Sequence, residues 1–269
     1  MYESHFGLTG RPFEETVNPE RFVSLPSRQA VLRRLRYGLE HGQGPALLFG
    51  AIGTGKTILA QTLARSIGSR FVHMTFPAMP PAELVAYVAD ELAESLALES
   101  APPLNVSVRR TQSLLATAAS RGDRTLLIVD EAHLIEGSAT FETLRLFLNF
   151  ATAGTPDLLL LLVGAPEVLL RLPPALADRL AARCLLNPLT EPESTAYIEG
   201  RLAAAGASES LFSREALFAL YRASDGLPRR LNRLADLALL IAFAEGRSRA
   251  DAACIDIAAR EAFLEPSAA

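Results

Sequence analysis

Gly50-Ala51-Ile52-Gly53-Thr54-Gly55-Lys56-Thr57 is the stretch that decides how the rest of this chain is read. It fits G-x-x-x-x-G-K-[ST]. The short apolar run Ala46-Leu47-Leu48-Phe49 precedes it, and a good helix former, Ile58-Leu59-Ala60-Gln61-Thr62-Leu63-Ala64, follows. Strand, glycine-rich turn and helix in that order let successive backbone N–H groups turn inward on a polyphosphate, with the positive end of the helix behind them. Residues Gly50 to Thr57, with Ile58 just beyond, are therefore candidates to hold phosphates. Lys56 is expected to reach the β- and γ-phosphates, and the Thr57 hydroxyl to hold Mg²⁺. The chain has 25 arginines and one lysine, and that lysine is Lys56. A composition this biased toward the planar guanidinium keeps a compact ammonium at the one position where a point charge suits phosphate.

The remaining composition bounds the answer. With 269 residues, 49% of them hydrophobic and 21% charged, the chain is globular and long enough for a large core or two modest ones. A net charge of −4 gives no overall pull toward nucleic acid or anionic membranes. Cys184 and Cys254 form no metal-binding spacing and are expected to be reduced, buried thiols. The most apolar run, Leu158 to Val163, is far too short to cross a bilayer, and the start lacks the order of a signal peptide. The expectation is a soluble, cytoplasmic protein without membrane insertion.

Taken in order, residues 1–26 carry aperiodic aromatics and prolines and are expected to form a lead-in packed on the core. Helical spacing of Ala30, Leu32 (or Val31), Leu35 and Leu39 predicts a helix from Ser27 to about His41, ended by Gly42 and Gly44. After the phosphate-loop helix come a strand at Arg70–Thr75, a helix from Pro80-Pro81 to about Leu98, a loop at Ala101–Pro103 and a helix over Ser107–Arg121. Thr125–Val129 is an unbroken apolar strand, as in a parallel sheet buried on both faces. A helix over Ser138–Phe150, a strand at Leu158–Val163, a proline-broken helical stretch over Pro166–Ala181 and a strand at Arg183–Leu186 follow. Five strands alternating with helices predict a doubly wound α/β core over 27–190. Beyond Pro188 only helices are expected, at about 191–205, 213–223, 228–245 and 251–264, forming a small all-helical domain over 191–269.

Ligands of open parallel sheets lie beyond the carboxyl ends of the strands, here Gly50, Asp130 and Gly164. Asp130 and Glu131 should thus face the phosphate loop. The pattern suits an aspartate that holds Mg²⁺ through water and a glutamate that orients and deprotonates an attacking water. His133 is expected to be a local hydrogen-bonding residue. Arg179, and after it Arg183, stand before the last strand, where an arginine finger can reach a neighbouring subunit's nucleotide. Arg229 and Arg230 follow Pro228, a natural first helical residue. Cations in a first turn oppose the helix dipole, which makes Arg229 a candidate to sense a γ-phosphate. Arg230 and Arg233 are better suited to surface or nucleic-acid contacts.

A phosphate loop, an Asp-Glu pair after a buried strand, a late arginine and a helical lid opened by Pro-Arg together resemble an AAA+ ATPase. Within that group the chain resembles the ExeA-type ATPases (general secretion pathway protein A). The residues that carry this include Phe6-Gly7-Leu8, Pro12-Phe13, Tyr37-Gly38-Leu39-Glu40, Asp130-Glu131-Ala132-His133, Gly164-Ala165-Pro166-Glu167, Arg201-Leu202 and Gly226-Leu227-Pro228-Arg229-Arg230-Leu231-Asn232. The resemblance implies Mg²⁺-dependent ATP hydrolysis by a homo-oligomer that remodels or licenses a partner protein assembly in a secretion or envelope setting. Ala165 stands where the family usually has Gln, and Asn18 where it has Asp. Secretion members continue into a membrane span and a peptidoglycan-binding part, and the resemblance here ends with the lid. Proteins of the same build also accompany transposases, so a DNA-associated helper ATPase is the competing expectation, with DNA contacts through Arg229, Arg230 and Arg233.

Overall fold

The computed structural model describes residues 2–41, 44–96, 104–152 and 154–263. Gly42, Leu98, the Ala101–Pro103 loop and the end of the last helix at 264 lie outside them. The chain divides into two compact units. One holds Arg28–Ala51 and Lys56–Leu186. The other holds the residues up to Ser27, Ile52–Gly55 and those from Asn187 onward.

The first unit is built on seven strands. These are β1 (Ala46–Phe49), β2 (Arg70–Met74), β3 (Thr125–Val129), the two-residue β4 (Ala151–Thr152) and β5 (Thr155–Pro156), β6 (Leu158–Gly164) and β7 (Ala182–Leu185). Five of them form one parallel sheet in the order β2-β3-β6-β1-β7. The central β3 and β6 are buried at every position, as their unbroken apolar runs require when helices cover both faces. The edge strand β7 alternates buried and exposed residues instead. Leu47, Leu127, Leu160 and Leu162 pack with Leu84, Leu92 and Phe141 from the helices Pro81–Ser95 and Ser138–Phe147.

Several sequence expectations shift here. The helix expected to reach Phe150 stops at Phe147, and β4 and β5 form a small hairpin that no period announces. Asp157, buried just after it, accepts from the Thr152 N–H at 2.9 Å and the Thr152 hydroxyl at 3.0 Å, which ties the hairpin down. The stretch 166–181 contains only two single turns, Val168–Arg171 and Pro174–Ala177, since Pro173 and Pro174 lack the N–H a continuous helix needs. Strand β7 starts one residue earlier than expected.

The second unit is helical, with helices Glu191–Ala204, Arg214–Ser224, Pro228–Ala244 and Ala252–Phe263. Thr190 and Glu193 cap the first of them reciprocally. The lead-in groups with this unit. Tyr2, Phe13 and Leu25 bury among Leu202, Phe212, Leu231 and Leu234. The Tyr2 hydroxyl donates to Asp236. The buried Arg201 guanidinium donates to the carbonyls of Pro12 at 2.7 Å and Glu14 at 3.0 Å. An irregular segment has backbone carbonyls to spare, and a buried cation needs them. No described helix is long and apolar enough to cross a membrane.

Candidate functional site

The phosphate loop is shaped by its glycines. Gly53 and Gly55 hold φ of 84° and 91°, where a side chain is strained. A Cβ on Gly50 would stand 2.4 Å from the Leu186 carbonyl oxygen, so β1 ends against the segment that leaves β7. Gly50→Ala is therefore expected to lower unfolding stability by about 1–3 kcal/mol, checked by denaturant titration; unchanged stability would show that the Leu186 backbone yields.

Lys56 opens the helix Lys56–Ile67 and is buried, its ammonium donating to the carbonyls of Gly50 at 3.0 Å and Ala51 at 3.1 Å. The loop thus holds a full positive charge at its own throat. Strand register brings the acidic pair to the same edge: Phe49 pairs with Gly164, Val129 with Leu162 and with Met74. Each strand ends here, and Gly50, Asp130 and Ala165 follow.

Asp130 is almost fully buried. Its Oδ2 accepts from the Thr57 hydroxyl at 2.7 Å and faces His73 Nε2 at 3.4 Å; its Oδ1 accepts from the Glu131 N–H at 2.9 Å. Burial by itself would raise the carboxyl's pKa, but the hydrogen bonds from His73, Thr57 and the Glu131 backbone prevail and hold it below the ordinary aspartate range. The group is ionised at neutral pH. A buried carboxylate beside a hydroxyl is a pair of hard oxygen donors, and they fit Mg²⁺, which takes one or two protein ligands plus phosphates and water. Among the described residues no larger cluster of acidic, histidine or cysteine side chains could hold a metal.

Glu131 sits in left-handed backbone (φ 50°, ψ 35°), a conformation that costs a non-glycine residue about 1 kcal/mol or more. Its side chain is 46% exposed, next to the buried aspartate. His133 Nδ1 accepts from the Ala165 N–H at 3.3 Å and lies 3.4 Å from Glu131 Oε2. One ring nitrogen cannot accept from an N–H and donate to a carboxylate at once. The backbone donor decides the case, so Nδ1 is the acceptor and the contact with Glu131 is not a charge pair.

Two polar residues escaped the sequence reading. Gln61 Nε2 lies 3.1 Å from His73 Nδ1, and His73 meets Asp130. Gln61 stands four residues after Thr57, on the same face of the helix. That much is visible in sequence; the cross-strand approach of His73 is not.

The late arginines are placed differently. The Arg179 carbonyl lies against Gly44, ahead of β1, so Arg179 stands at the amino edge of the sheet. The loop and Asp130 stand at the carboxyl edge, beyond the far end of β1, itself about 13 Å long. The Arg183 guanidinium donates to the Ala177 carbonyl at 2.8 Å. Among the described residues neither arginine pairs with Asp178 or Glu167. Within the helical unit, which includes Ile52–Gly55, the Arg229 N–H donates to the Gly53 carbonyl at 3.2 Å. Arg230 pairs with Asp225 at 2.7 Å, and Arg233 is exposed.

Comparison with known proteins accords with the fold. Residues 39–172 match the AAA domain family. The chain is 35% identical over 268 residues to general secretion pathway protein A of Aeromonas hydrophila, covering 97% of this chain and 48% of that one, so it spans about half of that relative's length. Among solved structures it is similar to Cdc6p from Pyrobaculum aerophilum, with a TM-score of 0.72 and 19% identity over 95% of this chain and 72% of that one. It is also similar to the ORC1 protein of Aeropyrum pernix in complex with DNA, with a TM-score of 0.66 and 20% identity over 91% of this chain and 68% of that one. At such identities the two structures speak to the fold alone.

Proposed function

As an AAA+ protein of the general secretion pathway protein A type, this chain, we propose, binds ATP with magnesium and hydrolyses it to ADP and phosphate, using turnover to assemble or remodel a partner protein complex. The observation that carries the reading is the hydrogen bond from half-buried Thr57 to buried Asp130 at the carboxyl edge of the sheet, with Lys56 just before Thr57 and the exposed Glu131 after Asp130.

In this reading the N–H groups of residues 51–57 and the start of the loop helix bind the polyphosphate. Lys56 exchanges its loop carbonyls for β- and γ-phosphate oxygens, which are charged and therefore stronger acceptors. Thr57, and Asp130 through water, would hold magnesium, which would supply neutralisation of phosphate charge. Glu131 orients a water for in-line attack and takes its proton. Arg229 senses the γ-phosphate, and Arg179 reaches the nucleotide of a neighbouring copy.

Lys56→Ala tests the binding step. It is expected to weaken ATP binding by tenfold or more, read by titration with a fluorescent ATP analogue, since a charged hydrogen-bond donor contributes about 1.5–3 kcal/mol. Equal affinity in wild type and variant would remove the loop from the reaction. A protein partner is favoured over DNA because the net charge is −4 and Arg230 is engaged with Asp225. ATP-dependent duplex binding that weakens steeply with salt would reverse that preference.

A further inference from the structure

Thr57, Asp130, His73 and Gln61 close a ring of side chains. Thr57 and Gln61 project from one helix, four residues apart; Thr57 reaches Asp130 at 2.7 Å, Asp130 meets His73 at 3.4 Å, and His73 meets Gln61 at 3.1 Å. The alternation of β2 sets this up. Val72 and Met74 point into the sheet core, and His73 points to the opposite face. The His73 side chain is 13% exposed, and Asp130 beside it is 5% exposed.

For a neutral His73 the chemistry of the ring leaves one proton arrangement. An ionised Asp130 only accepts, so the His73 nitrogen facing it must carry the proton: Nε2–H. In the neutral imidazole Nδ1 is then an acceptor, and the Gln61 amide N–H₂ is the donor that matches it. Asp130 therefore sets the tautomer, Gln61 satisfies the remaining ring nitrogen, and His73 hands a donor to one oxygen of the aspartate. With the Glu131 N–H on Oδ1, the carboxylate is held from both oxygens.

We propose that His73 is a positioning residue for Asp130: with its ring anchored by Gln61, it fixes the carboxylate in the orientation that magnesium requires. This rests on the reading of Thr57 and Asp130 as the magnesium pair. Groups in such an outer shell typically alter metal affinity about 10–100-fold when removed.

The test is a magnesium titration of fluorescent ATP-analogue binding by the full chain, with a parallel titration in chelator. His73→Leu is expected to leave metal-free affinity unchanged and to raise the magnesium concentration at half-effect about tenfold or more. His73→Gln, which restores a donor, should recover much of the loss. Gln61→Leu leaves His73 in place, and should shift the magnesium requirement in the same direction. It also carries the comparison should His73→Leu fail to fold. Nitrogen NMR of the wild-type histidines should show His73 with its proton on Nε2. An unchanged magnesium requirement in both His73→Leu and Gln61→Leu would overturn the proposal, as would a His73 proton on Nδ1. Wild-type binding that ignores magnesium altogether would instead bring down the metal reading itself, and the proposal with it.

Discussion

Glu131→Gln should lower ATP turnover by about two to four orders of magnitude while ATP binding stays within a few-fold of wild type. The size follows from the role: a positioned general base contributes that much, and glutamine keeps the shape but cannot take a proton. Binding is spared because Glu131 touches neither Lys56 nor Thr57 in the structure. Its side chain is 46% exposed beside the nearly buried Asp130, so a neutral amide leaves no unpaired charge behind. The left-handed backbone at Glu131 sharpens the case. Strain of about 1 kcal/mol or more persists only where the surroundings impose it. Here the Glu131 N–H is held by Asp130 Oδ1 at 2.9 Å, which helps to hold the left-handed conformation. Phosphate release and equilibrium binding measured on the same preparation check both halves. Turnover close to wild type would remove Glu131 from the mechanism.

Arg179→Ala should lower turnover by about a thousandfold or more, the loss expected of an arginine finger. Arg179 lies at the amino edge of the sheet beside Gly44, whereas Gly50 and Asp130 lie at the carboxyl edge. It is remote from its own loop, so a catalytic role is one played on another copy. The prediction is therefore coupled to assembly. Mixing inactive Arg179→Ala with inactive Lys56→Ala should restore part of the activity, because a Lys56→Ala subunit still offers its arginine to a neighbour with an intact loop. A mixture as inactive as its parts would count against a finger acting between subunits. Arg183→Ala is expected to do less, since that guanidinium is engaged by the Ala177 carbonyl at 2.8 Å.

The site was partly legible before any coordinates. Gly50–Thr57 and Asp130-Glu131 are local patterns, and their chemistry depends on residue order over a few positions. Thr57 and Asp130 are 73 residues apart, and it is the strand order that brings them to 2.7 Å. Strand β6 lies between β1 and β3, yet all three end at one edge, so the loop that follows β1 reaches across to the aspartate that follows β3. His73 and Gln61 carried no usable signal. A histidine in a strand and a glutamine in a helix are unremarkable until the two elements pack.

The sequence alone determined the phosphate loop, the acidic pair, five parallel-type strands and the helical run after Pro188, because hydrophobic period and glycine placement report local conformation and burial directly. Tertiary structure decided the rest. It set the order of the strands, the hairpin held by Asp157, the approach of His73 to Asp130 and Gln61, and the union of the lead-in with the helical unit through Tyr2, Phe13 and Arg201. Each of these depends on which surfaces meet. A buried cation, an unpaired carbonyl or a half-buried aromatic shows only that some partner is needed, and the packing of distant segments determines which one it is.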